Sequence, residues 1–287
     1  MPELPEVEVV KRSLAKNIKS RKINKVLVRN NKLRFKLEKN FKKKLEGNII
    51  KNILRISKYI VLQLSNNTYC TFHLGMSGTI HIISKKNINK ITNTSFYHSP
   101  FLPKKHNHIE LFFKDFRMIY NDPRRFGFFL LFNNYKSLKK YFLGLGPEPL
   151  NKNFNINYIK NYLILKKRSI KNILLDQKFV SGLGNIYVNE ILFHSKINPL
   201  KIGNNLKNNE LIKLIKFSKS TILKAIRNGG SSINNFTNTL GRKGNFQNFF
   251  KVYNQEGKKC SNKGCEGIII KLSVSNRSTF FCKKCQK

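Results

Sequence analysis

Pro2 directly follows the initiating methionine, and removal of Met1 would leave its ring nitrogen as a free secondary amine. An α-amino group titrates near ~8, so a fraction is unprotonated at neutral pH. Such a nitrogen can attack a sugar carbon, and the iminium formed from a secondary amine is permanently cationic, an obligatory electron sink. The neighbouring Glu3 suits general acid–base work. Pro-Glu is equally an ordinary helix start, so the dipeptide alone leaves both uses open.

Four cysteines close the chain. Cys260 and Cys265 enclose four residues, Cys282 and Cys285 enclose Lys283-Lys284, and sixteen residues separate the pairs. Four thiolates in two close pairs suit a tetrahedral Zn²⁺ with every position filled, which makes such a site structural. A redox pair or an iron–sulfur cluster is the alternative; the lysine-rich ribbon around the cysteines favours zinc. Cys70 stands alone in an apolar run and reads as a small buried hydrophobe.

A third cluster is Asp122-Pro123-Arg124-Arg125-Phe126-Gly127. Arginines suit phosphates and base edges, and a phenylalanine beside them can wedge between stacked bases. A β-turn with solvated arginines has the same composition. In Val180-Ser181-Gly182-Leu183-Gly184-Asn185 the glycines allow close backbone approach, and Asn185 suits the cap of a following helix, a natural phosphate seat. A plain interhelical turn fits that stretch too.

These groups need elements to hold them. Val7, Val10, Leu14 and Ile18 recur at helical spacing, with Pro5 in the first turn. From about residue 23 to 132 the period changes to that of strands. Tyr59 to Leu64 and Tyr69 to Leu74 flank Ser65-Asn66-Asn67-Thr68 as a hairpin; Ile109 to Phe113, Arg117 to Tyr120 and Phe126 to Phe132 continue the pattern. That is a sandwich or barrel-like β domain. Residues 84 to 107 read as a surface loop. Gly144, Gly146, Pro147 and Pro149 mark a boundary. Residues 155 to 228 read as helices, with Leu211, Leu214, Ile215, Ile222 and Ala225 as one stripe stopped by Gly229-Gly230. From Gly230 to Phe250 the composition is that of a mobile loop.

Over 287 residues, 56 Lys and Arg stand against 14 Asp and Glu, a formal charge of +42. Part of that surplus fits codon drift toward lysine and asparagine, as in Phe41-Lys42-Lys43-Lys44. The remainder still calls for a polyanionic partner, and nucleic acid fits better than a membrane, since no basic amphipathic anchor stands out. At 40% hydrophobic and 11% aromatic residues the chain can build packed cores. No apolar run reaches the ~20 residues of a membrane span, and the acidic, proline-rich start is no export signal, so a cytoplasmic, nucleoid-associated place is expected.

Taken in order, Met1 to Glu8, Ser57-Lys58-Tyr59, His73 to Gly78, Lys105 to His108, Asp122 to Gly127, Asp176 to Asn189 and the cysteine ribbon resemble the bacterial formamidopyrimidine-DNA glycosylases, along essentially all of the chain. The resemblance implies an α+β protein: an N-terminal catalytic β-sandwich (1–133), a linker (134–150), a helix–two-turn–helix domain (151–235), then a mobile loop and zinc finger (236–287), with DNA in a cleft between two lobes. It implies a monomer that excises oxidised purines from double-stranded DNA and cleaves the abasic strand, with one structural Zn²⁺ and no organic cofactor. The family's Schiff-base nucleophile falls on Pro2, its proton donor on Glu3, its β-elimination lysine on Lys58 and its δ-elimination arginine on Arg277. The gap-filling residues fall on Met76, Arg124 and Phe126, and DNA contacts on His106, Arg125, Lys167, Lys171 and Asn185. The metal ligands fall on Cys260, Cys265, Cys282 and Cys285. The family usually has two residues between its first two ligands; the four found here make a wider loop that can still close on zinc. Rival readings are an endonuclease VIII-like glycosylase for oxidised pyrimidines and a zinc-stabilised DNA-binding protein without catalysis.

Overall fold

A computed structural model describes residues 2–84, 104–231 and 244–287. The loops expected at 84–107 and 230–250 fall largely outside these residues. The chain divides into two compact units, Met1–Leu143 with Asn228–Asn245, and Gly144–Arg227 with Phe246–Lys287.

The first unit begins with α1 (Leu4–Ile18), whose Val7, Val10, Leu14 and Ile18 all face the core. Pro5 sits in the first turn, where its missing N–H has no partner to lose. Glu3 and Glu6 close the N-terminus as a reciprocal capping box. Then follow β1 (Lys25–Val28), a short α2 (Phe41–Leu45), β2 (Ile50–Ile56), β3 (Tyr59–Leu64), β4 (Tyr69–His73), β5 (Thr79–Ser84), β6 (Asn107–Phe112), β7 (Phe116–Asn121), β8 (Phe128–Phe132) and α3 (Tyr135–Phe142). Two antiparallel four-stranded sheets form, ordered β1-β6-β7-β5 and β2-β3-β4-β8. Their inner faces share one core with α1, in which Ile53, Leu62 and Phe72 of one sheet meet Val26, Leu111 and Met118 of the other. Cys70 lies buried there. β3 and β4 pair across the expected turn, with Tyr59 opposite His73.

Two boundaries differ from expectation. The stretch taken as a linker contains α3, which caps itself through Asn134 and buries Leu138 against Val61 and Tyr69. The Gly/Pro signal follows that helix, and the second unit begins there, at Gly144. Phe126, expected to begin a strand, lies outside it; β8 begins at Phe128.

The second unit holds α4 (Ile156–Leu163), α5 (Ile170–Leu175), α6 (Asn185–Ser195), α7 (Asn208–Arg227), and the hairpin β9 (Ile269–Val274) and β10 (Arg277–Cys282). Asn155 and Ser169 cap α4 and α5 through their side chains. α6 is buried nearly all round, so its sequence carries almost no amphipathic signal. In α7, Leu211, Leu214, Ile222 and Ala225 are buried and Ile215 is half-buried.

Candidate active site and nucleic-acid interface

In the first unit, α1 packs on β2 and β3. The helix that follows Pro2 therefore rests on the strands whose connecting turn is Ser57-Lys58. Glu3, the helix cap, is buried, and its backbone N–H donates to Glu6 Oε2 at 2.9 Å. The other Glu6 oxygen accepts from the backbone and hydroxyl of Ser231, at 2.8 and 3.0 Å. Sequence reasoning missed this tie, which spans 225 residues.

Lys58 is only 6% exposed. Its charge helps push the nearby His73 down to a pKa of about 4, after burial, the larger cause. His73 is thus a neutral imidazole at neutral pH. Its Nδ1 accepts the Gly75 N–H at 2.9 Å, and the ring stacks on Phe128 with centroids 5.4 Å apart. His73 also lines a cleft of about 750 Å³ with Arg34, Met76, Arg124, Arg125 and Phe126.

At that cleft Met76 is 47% exposed and Phe126 40%, large apolar groups left in solvent. The Arg124 guanidinium lies 4.4 Å from the Phe126 ring centroid. Their shape is set from beneath by Asp122, whose side chain is fully buried. One carboxylate oxygen accepts from Tyr120 Oη at 2.9 Å and the Gly127 N–H at 2.8 Å; the other accepts from the Ser77 hydroxyl and, at 3.3 Å, the Arg124 N–H. His108 Nε2 contacts the Asp122 carbonyl at 2.7 Å. Arg125 is left-handed at φ 55°, a conformation few side chains favour, so the turn must be held from outside. Gly127 is required by crowding, since a Cβ would collide with Tyr120. His106 flanks the turn, its carbonyl accepting the Asp122 N–H at 3.0 Å. Burial and Lys105 lower its pKa.

Lys167, Lys171, Asn185, Arg277 and the cysteines belong to the second unit. Lys167 and Arg277 are exposed. Lys171 is not at a surface: it is fully buried, and its Nζ donates to the Ser278 carbonyl at 2.9 Å and to Thr279 Oγ1 at 2.6 Å. Burial and the nearby Arg277 charge lower its pKa to about 8. Lys171 thus grips the hairpin that presents Arg277. Asn185 also differs: Gly184 is the cap residue, and Asn185, the first residue of α6, donates Nδ2 to the same Ser278 carbonyl at 2.9 Å. Asn189 accepts the Phe280 N–H at 2.8 Å, and the buried Glu190 accepts the N–H groups of Lys251, Val252 and Tyr253. One face of α6 thus holds the C-terminal ribbon. Neither Asn189 nor Glu190 carried a local sequence signal for this.

The four sulfurs of Cys260, Cys265, Cys282 and Cys285 lie within 4.8 Å of one another, with Cys260–Cys285 and Cys265–Cys282 each 3.7 Å apart. Tetrahedral zinc with Zn–S bonds of ~2.3 Å needs sulfur separations of ~3.8 Å, so the donor set fits. Gly267 leaves room for it, because a Cβ there would stand 2.5 Å from Cys282 Sγ. The wider first loop closes through a Cys265 N–H to Asn262 carbonyl bond of 3.0 Å, with Gly264 at φ 73°. No described helix is long and apolar enough to cross a membrane.

Known proteins carry the same layout. The family model described as the formamidopyrimidine-DNA glycosylase N-terminal domain matches residues 1–129, and the one for that enzyme's H2TH domain matches 145–237. Formamidopyrimidine-DNA glycosylases of Wolbachia pipientis subsp. Culex pipiens (strain wPip) and Rhodopseudomonas palustris (strain TIE-1) are 38% and 36% identical, each over the full length of both chains. The fold superposes on Lactococcus lactis Fpg bound to DNA with an abasic site (TM-score 0.87, 34% identity, 99% of each chain). It also superposes on MutM bound to DNA with carbocyclic 8-oxo-G (TM-score 0.86, 35% identity, 100% of each chain).

Proposed function

The chain belongs to the formamidopyrimidine-DNA glycosylase family, and from that premise we propose that it excises oxidised purines from double-stranded DNA and cleaves the resulting abasic strand. The carrying observation is that one unit combines the Pro2-Glu3 helix start, on a helix packed against the strands that the Lys58 turn joins, with two exposed apolar side chains held beside arginines.

The duplex is gripped at phosphates by His106, Arg125, Lys167, Asn185 and Arg277, the surplus charge supplying general attraction. Met76, Arg124 and Phe126 fill the gap left by the extruded nucleotide, offsetting a cost of about a few kcal/mol of lost stacking. The Pro2 nitrogen, freed of Met1, bonds to C1′ as the base departs; the C1′–O4′ bond then breaks with Glu3 protonating O4′, which leaves the ring-opened iminium. The cationic iminium acidifies C2′–H. Lys58 collects that proton while the C3′–O pair leaves with the 3′ phosphate, and Arg277 serves the second elimination at the 5′ side. No organic cofactor enters these steps. Zn²⁺, when bound by Cys260, Cys265, Cys282 and Cys285, fixes the shape of the hairpin and takes no part in the chemistry. The protein acts as a monomer on chromosomal DNA in the cytoplasm.

Paired cleavage assays on oxidised-guanine and thymine-glycol duplexes test the substrate class. Preferential cleavage of the oxidised-guanine duplex is expected. A preference for thymine glycol would assign the chain to oxidised pyrimidines.

A further inference from the structure

Two amines must act on neighbouring atoms of one sugar, Pro2 at C1′ and Lys58 at C2′. They belong to different elements, a helix terminus and a hairpin turn, so something must fix one against the other. The Arg55 side chain spans that gap. Its Nε donates to Glu8 Oε2 on α1 at 2.9 Å, and its Nη1 donates to the Ser57 carbonyl at 2.9 Å, the peptide next to Lys58. The pair is largely withdrawn from solvent, with Arg55 and Glu8 side chains 10% and 12% exposed. A guanidinium suits this use, because its rigid fork engages two acceptors at once. Ser57 needs the tie. It is left-handed at φ 54°, and without a bond on its carbonyl the turn could relax and swing Lys58.

Glu8 does more than neutralise charge. Its other oxygen accepts Arg12 Nε at 2.8 Å and lies 3.6 Å from Lys11 Nζ. The carboxylate is thereby fixed on both sides by α1, and only its Oε2 faces the sheet. We infer that Glu8 and Arg55 form a strut between the helix that starts at Pro2 and the Lys58 turn, and that Arg55 is a positioning residue for proton removal at C2′. The inference rests on the Schiff-base reading above. Iminium formation at C1′ needs only the helix terminus, whereas breaking C2′–H and then C3′–O needs Lys58 in register with it. Loss of the strut therefore separates the two steps.

Arg55→Met tests this, because it leaves Glu8 paired with Lys11 and Arg12. On an abasic-site duplex in single turnover, borohydride trapping should stay near that of the unaltered protein. Strand cleavage should fall by about 10²-fold, the penalty of roughly an ångström of misplacement. In a Lys58→Met background, Arg55→Met should lower cleavage no further, a coupling that general loosening of the sandwich would not produce. Arg55→Lys keeps the charge beside Glu8 but offers one nitrogen for two acceptors, so it should show the same split at smaller size and serves if Arg55→Met folds poorly. Equal losses of trapping and cleavage, or a second full loss in the Lys58→Met background, would overturn the strut. Absence of a trapped adduct with the unaltered protein would instead remove the Schiff-base reading, and the inference with it.

Discussion

The wedge turn and the cysteine hairpin both hold a short exposed loop in one shape, by different means. At the wedge a single buried carboxylate, Asp122, collects Tyr120, Ser77, Gly127 and Arg124, and Gly127 yields space to Tyr120. At the hairpin the sulfurs converge on a metal-sized centre, while α5 and α6 hold one strand through Lys171, Asn185 and Asn189. The wedge is therefore built from interactions that exist as soon as the sandwich folds. The four cysteine thiolates are completed by a metal, whereas Ser278–Phe280, Gln286 and the Lys251–Tyr253 segment are already tied to the helical unit by protein groups. Removing metal should act on one loop and spare the other.

The largest expected effect comes from breaking the wedge's centre. Asp122→Ala strands several buried donors and should cost about 3–5 kcal/mol in denaturant unfolding. Excision from a paired duplex should fall with it. Unchanged stability would show that the turn holds itself.

Next is the metal. Cys282→Ser, or chelation, should loosen the ribbon and weaken DNA binding by about 10-fold or more, since metal binding there is also local folding free energy. Hydrogen exchange in β6 to β8 should be unaffected. Elemental analysis should give one zinc per chain; active protein without zinc would overturn the assignment.

Phe126→Ala should slow excision by about 2–3 kcal/mol in a paired duplex and less in a bubble, where stacking is already broken. The same substitution should leave the salt dependence of binding unchanged, whereas Arg125→Ala should lower that slope by about one. Equal impairment of Phe126→Ala on both substrates would assign the ring to packing.

The last effect is one of pH. His73 titrates near 4 when folded and near ~6.5 when unfolded, so as pH falls through that window the unfolded chain binds the proton first and stability declines. The contribution is at most about 3 kcal/mol. His73→Asn keeps an acceptor for the Gly75 N–H and should flatten the decline in melting temperature between pH 7 and 5. An equally steep decline would place the acid sensitivity elsewhere.

What could be read from the residues follows the range of the interactions. α1, the β3–β4 hairpin and the stripe of α7 announce themselves because their periodicity is local. The cysteine cluster was legible because metal geometry constrains spacing. The resemblance offered Lys171 as a DNA contact, but nothing near it in the sequence signals that it is buried with partners 107 and 108 positions away. Asn185 was read as a cap because asparagine suits one, yet glycine holds that position. Glu8, Arg55, Asn189 and Glu190 escaped for the same reason as Lys171: each acts on a backbone or side-chain group brought near only by the fold.

The central claim is that the chain's own terminal amine attacks the sugar. Borohydride reduction on an oxidised-guanine duplex, followed by digestion and mass spectrometry, tests it most directly. The account predicts a DNA adduct on the peptide beginning at Pro2, with Met1 absent. An adduct on Lys58, or full activity with Met1 retained, would contradict it.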